Sequence, residues 1–225
     1  YALIQTVCVK YIVNGIATRR VPIGERCSQL SVDIDLLCAD RKLSYDLVMA
    51  VEKSGISVLD IFPDVYACAK EAALFERTVN QQVILLKVER EETTLTLLRK
   101  GRINTSLISP AGLGTFVEPV VEKYGIKTDT AVELLKYSVK LDKEKFSRNS
   151  IHIWAEGDET HTISEEQLVS CIGKNLNQWM DAIEKTCSPI LQAGPTTVMI
   201  TGEGGEMLGF SELLSQKLGV ECQCY

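Results

Sequence analysis

The residues best placed to do chemistry stand near the carboxyl end of the chain. An apolar run, TTVMIT, ends in Thr201-Gly202-Glu203-Gly204-Gly205, followed by Met207, Gly209 and an amphipathic stretch. Glycines between a buried strand and a helix let a ligand approach bare main chain where the first helical amides point outward. The same spelling also makes a plain strand-to-helix turn, and the residues alone leave both readings open. Glu133 and Lys136 stand three apart on a helical segment, the spacing of a solvated ion pair. His152 and His161 pair with no Ser or Cys in a nucleophile motif, so neither reads as catalytic. Eight cysteines, at 8, 27, 38, 68, 171, 187, 222 and 224, include no CxxC. Cys222 and Cys224 have the wrong spacing for a zinc knuckle, so no metal site is expected and the thiols read as reduced.

The elements that must position these residues are legible in the periodicity. Residues 3–13 are apolar with partial alternation and end at Asn14-Gly15, a strong hairpin signal. Residues 29–38 alternate Leu30, Val32, Ile34 and Leu36 against Ser31, Asp33 and Asp35, which predicts a half-buried strand. Leu43, Leu47 and Val51 predict a helix over 44–53 that Gly55 ends. Residues 56–61 read as a short strand, and Pro63-Asp64 opens the next helix. Three consecutive strands follow: VILLKV, TTLTLLRKG and RINTSLIS, with a tight turn at Lys100-Gly101. Pro110-Ala111-Gly112 leads into a helix near 115–124, and Thr128-Asp129 opens another through Lys140. Residues 141–150 read as a solvated loop, and Gly157-Asp158 as the turn of a small hairpin. Ser164 and Gln167 spell a capping box for the longest helix, over 165–187, with Pro189 breaking the chain beyond it.

With 225 residues, 45% hydrophobic and 24% charged, the chain has the makeup of a folded protein with a real core. A net charge of −6 argues against a nucleic-acid binder. No apolar run reaches the ~18 residues of a membrane span. The chain begins at Tyr1 inside a strand pattern, which reads as a fragment of something longer with no signal peptide.

The run Thr201, Gly202, Glu203, Gly204, Gly205, Met207, Gly209, Phe210, Glu212, Leu213 resembles the adenosine motif of the actin, heat-shock and sugar-kinase ATPases. The triple strand followed by Pro110-Ala111-Gly112, and the stretch from Ala131 to Lys136, are similar to the second half of that fold. Tyr11-Ile12-Val13-Asn14-Gly15, Pro22-Ile23-Gly24, Leu30-Ser31-Val32 and Glu52-Lys53-Ser54-Gly55 are similar to subdomain 1C of the bacterial cell-division FtsA family. The resemblance implies an α/β chain with an actin-like, ribonuclease H-like domain 2 plus an α+β subdomain 1C. Residues 1–60 would be 1C, 61–80 the linking helix of 1A, 81–118 and 188–225 subdomain 2A, and 119–187 subdomain 2B.

The same resemblance implies ATP with Mg²⁺ as cofactor, and Thr93, Gly112, Glu133, Lys136, Gly202, Gly204 and Gly205 as nucleotide-binding residues. The second phosphate loop departs from the family's glycine-rich pattern. It reads Lys87-Val88-Glu89-Arg90-Glu91-Glu92-Thr93-Thr94, with Lys87 where an acidic residue would position Mg²⁺. Glutamates there oppose a phosphate, and Glu203 replaces a further glycine. The expectation is a degenerate site that does not hydrolyse ATP. By resemblance the chain is a division scaffold that links an FtsZ-like ring to the membrane, self-associates into filaments and recruits other division proteins. Residues 119–187 would face FtsZ and 1–60 a neighbouring subunit. It would work in the cytoplasm at the inner face of the plasma membrane, attached only through a tail outside this sequence. The alternatives are an active ATPase of the same superfamily and a PilM-like pilus-assembly scaffold.

Overall fold

The computed structural model describes residues 1–225, which divide into two units, Tyr1–Ala73 and Leu74–Tyr225. The boundary falls inside the segment read as a linking helix. In the first unit, β1 (Ala2–Val13), β2 (Ile16–Thr18) and β3 (Leu30–Ala39) form an antiparallel sheet in the order β2-β1-β3. Val13 pairs with Ile16 across Asn14 (φ 50°) and Gly15 (φ 86°), the twisted two-residue turn that Asn-Gly favours. Asn14 Oδ1 accepts from the amides of Ser28 (2.9 Å) and Gln29 (3.2 Å), which ties the turn to the start of β3.

Helix α1 (Arg41–Lys53) starts where Asp40 Oδ1 accepts from Leu43 N at 2.8 Å. Helix α2 (Asp64–Glu71) opens after Pro63 and stops at Ala72, because Ala73 turns to φ 52°. Residues 56–61, whose composition predicts a strand, join no sheet, though Asp60 accepts a hydrogen bond from Gln5 Nε2. Their β-branched composition favours extended backbone, and β propensity yields no strand without an edge to join.

β3 exists where the alternation places it, but its apolar face is not half-buried. Leu30, Val32, Ile34 and Leu36 are 51%, 45%, 45% and 59% exposed. The alternation gives the period of the strand correctly; no element of the first unit covers that face. α1 likewise buries none of its residues, so Leu43, Leu47 and Val51 are also open.

The second unit holds a five-stranded sheet in the order β10-β9-β4-β5-β6. A short helix, α3 (Leu74–Arg77), leads into β4 (Gln82–Val88), β5 (Thr93–Arg99) and β6 (Arg102–Ser109), an antiparallel meander. The β5–β6 turn is made by Lys100 (φ 54°) and Gly101 (φ 70°). Then come α4 (Gly114–Tyr124), α5 (Thr128–Glu133), a π turn at Leu134–Ser138, and the β7 (Ser150–Glu156) and β8 (Glu159–Ser164) hairpin. Helix α6 (Glu165–Gln192), β9 (Thr196–Thr201), a 3₁₀ turn at Glu203–Glu206, α7 (Phe210–Leu218) and β10 (Cys222–Cys224) complete the chain. β9 runs parallel to both β4 and β10. β4 is central and covered on both faces, which is why residues 83–86 read as a continuous apolar run.

Three sequence expectations change here. The helix opening at Thr128-Asp129 turns into the π segment after six residues, and Val139 is extended (φ −133°). Residues 141–150 are not simply solvated. Glu165, at the first turn of α6, accepts from Lys143 Nζ (2.7 Å) and Ser147 N (2.9 Å), and so pins the loop. α6 passes through Pro189 and ends at Gln192. Proline deletes one helical bond, and Pro189 and the residue four before it, Lys185, are exposed, where losing that bond costs least. The capping box at Ser164 and Gln167 forms in both directions. No helix is long and apolar enough to cross a membrane. All eight cysteines are thiols, and burial pushes Cys187 up to about 12 and Cys222 up to about 11.

Candidate functional site

Parallel β4 and β9 end together, Lys87 opposite Thr201. The segments leaving these strands therefore meet at one end of the sheet. After Thr201 the backbone turns sharply at Gly202 (φ 80°, ψ −172°) into the 3₁₀ turn. A methyl group on Gly202 would sit 2.7 Å from the carbonyl oxygen of Val88, and one on Gly204 2.6 Å from Val88 Cβ. These two glycines are required by the close approach of Val88, whatever else the turn does. Gly205 has only an ordinary nearest neighbour, Ile200 O at 3.4 Å.

The β4–β5 loop folds back onto the start of α4. Leu113 N donates to Glu89 O and Gly114 N to Arg90 O, both at 2.8 Å. Helix N-terminal amides of this kind can cradle an anion; here the loop's own carbonyls take them. Gly112 makes this approach sterically feasible, since a methyl group there would lie 2.1 Å from Glu89 O. Thr93 is buried beneath the loop. Its hydroxyl donates to Ala111 O (2.7 Å) and accepts from Trp179 Nε1 (3.2 Å).

The charges at this end of the sheet pair with one another. Lys87 Nζ lies 2.8 Å from Glu89 Oε1, and Arg90 Nη2 3.8 Å from Glu203 Oε2. Lys136, only 8% exposed, reaches Glu206 Oε2 at 3.1 Å and Glu203 Oε2 at 3.6 Å. Tyr137 Oη donates to the same Glu206 Oε2 at 2.9 Å. Three cations thus meet three carboxylates: Lys87, Arg90 and Lys136 against Glu89, Glu203 and Glu206. Glu91 and Glu92 face solvent instead. The carboxylates expected to repel phosphate from this loop are in part turned away, and Glu89 is neutralised. Arg90 Nε remains buried with no hydrogen-bond partner.

Of the residues singled out by sequence, the structure gathers Thr93, Gly112, Lys136, Gly202, Gly204 and Gly205 around the ends of β4 and β9. Glu133 is exposed and joins none of these pairings. The participants that sequence reasoning missed are Glu206 and Tyr137. Glu206 lies just past the glycines, in a turn whose direction the sequence does not show.

The hydrogen bond from Tyr137, then the bond and charge of Lys136, hold the Glu206 carboxyl below its ordinary range. Burial acts to lower the Lys136 ammonium, but Glu206 and Glu203 outweigh it and raise it. Lys143, then the Ser147 amide, lower Glu165. A carboxylate lowered by folding stabilises the native state above its unfolded value and loses that contribution as pH falls through its folded value. A raised ammonium does the reverse: its contribution holds at neutral pH and is lost as pH rises through its folded value. Urea midpoints should therefore fall between about pH 6 and about pH 3, and the fall should shrink in Glu206→Gln and Glu165→Gln.

Solved structures with this arrangement of strands and helices are now informative. The chain is similar to a structure of the PilM-PilN type IV pilus biogenesis complex, with TM-score 0.66 and 13% identity over 99% of this chain and 56% of that one. The fold is actin-like. MreB 5 of Spiroplasma citri, bound to AMPPNP, matches with TM-score 0.60 and 15% identity over 82% of this chain and 60% of its own. The MamK double helical filament matches with TM-score 0.59 and 12% identity over 83% and 61%. The chain therefore spans between 56% and 61% of the length of these neighbours. No protein-family model and no curated protein matches it.

Proposed function

We propose that this chain is an assembly scaffold built on the actin-like fold, with a cleft that its own side chains fill. The observation that carries this reading is the set of ion pairs among Lys87, Glu89, Arg90, Lys136, Glu203 and Glu206. The residues do not fit ATP with Mg²⁺. The amides at the start of α4 are spent on Glu89 and Arg90, Lys136 is held by carboxylates, and Lys87 stands where a metal-positioning acid would be needed. No hydrolytic step is assigned to it.

Two partner classes follow. The PilM-like reading is favoured by similarity to the PilM-PilN complex over 99% of this chain, and its partner would be PilN-like. The FtsA-like reading rests on the motifs of the first 60 residues, and its partners would be an FtsZ-like protein and other division proteins. Both place the protein at the cytoplasmic face of the membrane. Self-association is part of the proposal, with a second copy of this chain as the occupant. MamK shares the fold and forms a double helical filament, and the open apolar face of β3 supplies unpartnered surface.

The test is a pull-down of the full chain against a short peptide from the N-terminus of a PilN-like protein and, separately, against an FtsZ-like protein. Capture by the peptide alone selects the pilus reading, and capture by the FtsZ-like protein alone selects the division reading. Capture by neither, with no self-association in sedimentation, rejects the scaffold.

A further inference from the structure

Lys136 and Tyr137 are consecutive, and consecutive side chains on an α-helix diverge by about 100°. Both nevertheless reach one atom, Glu206 Oε2, at 3.1 Å and 2.9 Å. Both lie in the π turn at Leu134–Ser138, and both side chains are long enough to bend to the same carboxylate. The two partners differ in freedom. Lys136 is buried and fixed by the packed turn, whereas the side chain of Glu206 is 52% exposed and rides on a four-residue 3₁₀ turn. Next to it, Glu203 joins Lys136 to Arg90, whose buried Nε has no partner. A fixed ammonium and a hydroxyl donor thus hold a carboxylate that can swing away.

We propose that Lys136 and Tyr137 form an oxyanion seat whose resident occupant is the chain's own Glu206, so that small phosphate anions enter only when that carboxylate leaves. The inference rests on the self-occupied reading of the cleft and adds which group occupies it. A tethered carboxylate competes at an effective concentration on the order of millimolar, so an external anion must outbid it. The recognised class is a compact anion with several oxygens, held by one ammonium and one hydroxyl.

The experiment titrates pyrophosphate, without metal, into the full chain by calorimetry. Glu206→Gln should bind it at least about tenfold more tightly than the native chain, because the competitor loses its charge. Tyr137→Phe, made in the Glu206→Gln background, should lose part of that gain. Lys136→Met in the same background should lose all of it. Circular dichroism confirms that each variant is folded. If Lys136→Met does not fold, Tyr137→Phe carries the decision alone. Affinity in Glu206→Gln within twofold of native overturns the proposal, as does a gain that survives Lys136→Met or, where that variant is unfolded, a gain that Tyr137→Phe leaves undiminished. Tight binding of ATP with Mg²⁺ by the native chain would instead remove the self-occupied reading, so the two failures are separable.

Discussion

Gly112→Ala is expected to destabilise the second unit by more than about 3 kcal/mol in urea denaturation followed by circular dichroism. The new methyl group would lie 2.1 Å from Glu89 O, 2.7 Å from Arg90 O and 2.7 Å from Glu92 N. All three atoms are main chain, so no side-chain rotation relieves the overlap. The β4–β5 loop would have to lift off α4, which breaks the bonds from Leu113 N and Gly114 N. Gly173→Ala is the control of opposite sign. It lies within α6, nothing stands within 4 Å of its added carbon, and helix propensity favours alanine by about 0.5–1 kcal/mol. Equal effects of the two substitutions would mean that the loop does not rest on Gly112.

Trp179→Ala should cost about 3–5 kcal/mol by the same measurement. Its side chain is 4% exposed. The ring stands edge-on to Phe116 (centroids 5.8 Å apart, planes at 86°) and tilted against Phe210 (5.4 Å, 36°). One side chain thus joins α4, α6 and α7, and Nε1 reaches Thr93 Oγ1 and Ala111 O, both at 3.2 Å. Trp179→Phe keeps an aromatic ring but drops the N–H, so it should retain more than half of the lost stability. A cost below about 1 kcal/mol for alanine would contradict this account of the core.

The parts of the fold that were legible in the sequence are those where one local rule acts alone. Asn14-Gly15 demands a twisted two-residue turn and makes one. Ser164 and Gln167 spell a reciprocal cap and form it. The continuous apolar run at residues 83–86 in β4 marks a strand covered on both faces. What stayed hidden depends on neighbours distant in sequence. Periodicity gave the face of Leu30, Val32, Ile34 and Leu36 but not whether anything lies over it. Residues 56–61 carry strand composition without a pairing edge. At the site, the glycines at 202 and 204 were legible as a turn, but their reason is the approach of Val88, a strand away. Glu206 was invisible for the same reason: its partners sit 69 and 70 residues earlier in the chain. The two partners lie in a π turn, for which no residue pattern in 134–138 gives notice.

The central claim is that paired side chains of the chain itself occupy the end of β4 and β9. Calorimetric titration of the full-length native chain with ATP and Mg²⁺ tests it most directly. The account predicts no saturable binding below about 1 mM, whereas a dissociation constant in the micromolar range, accompanied by release of phosphate, would contradict it.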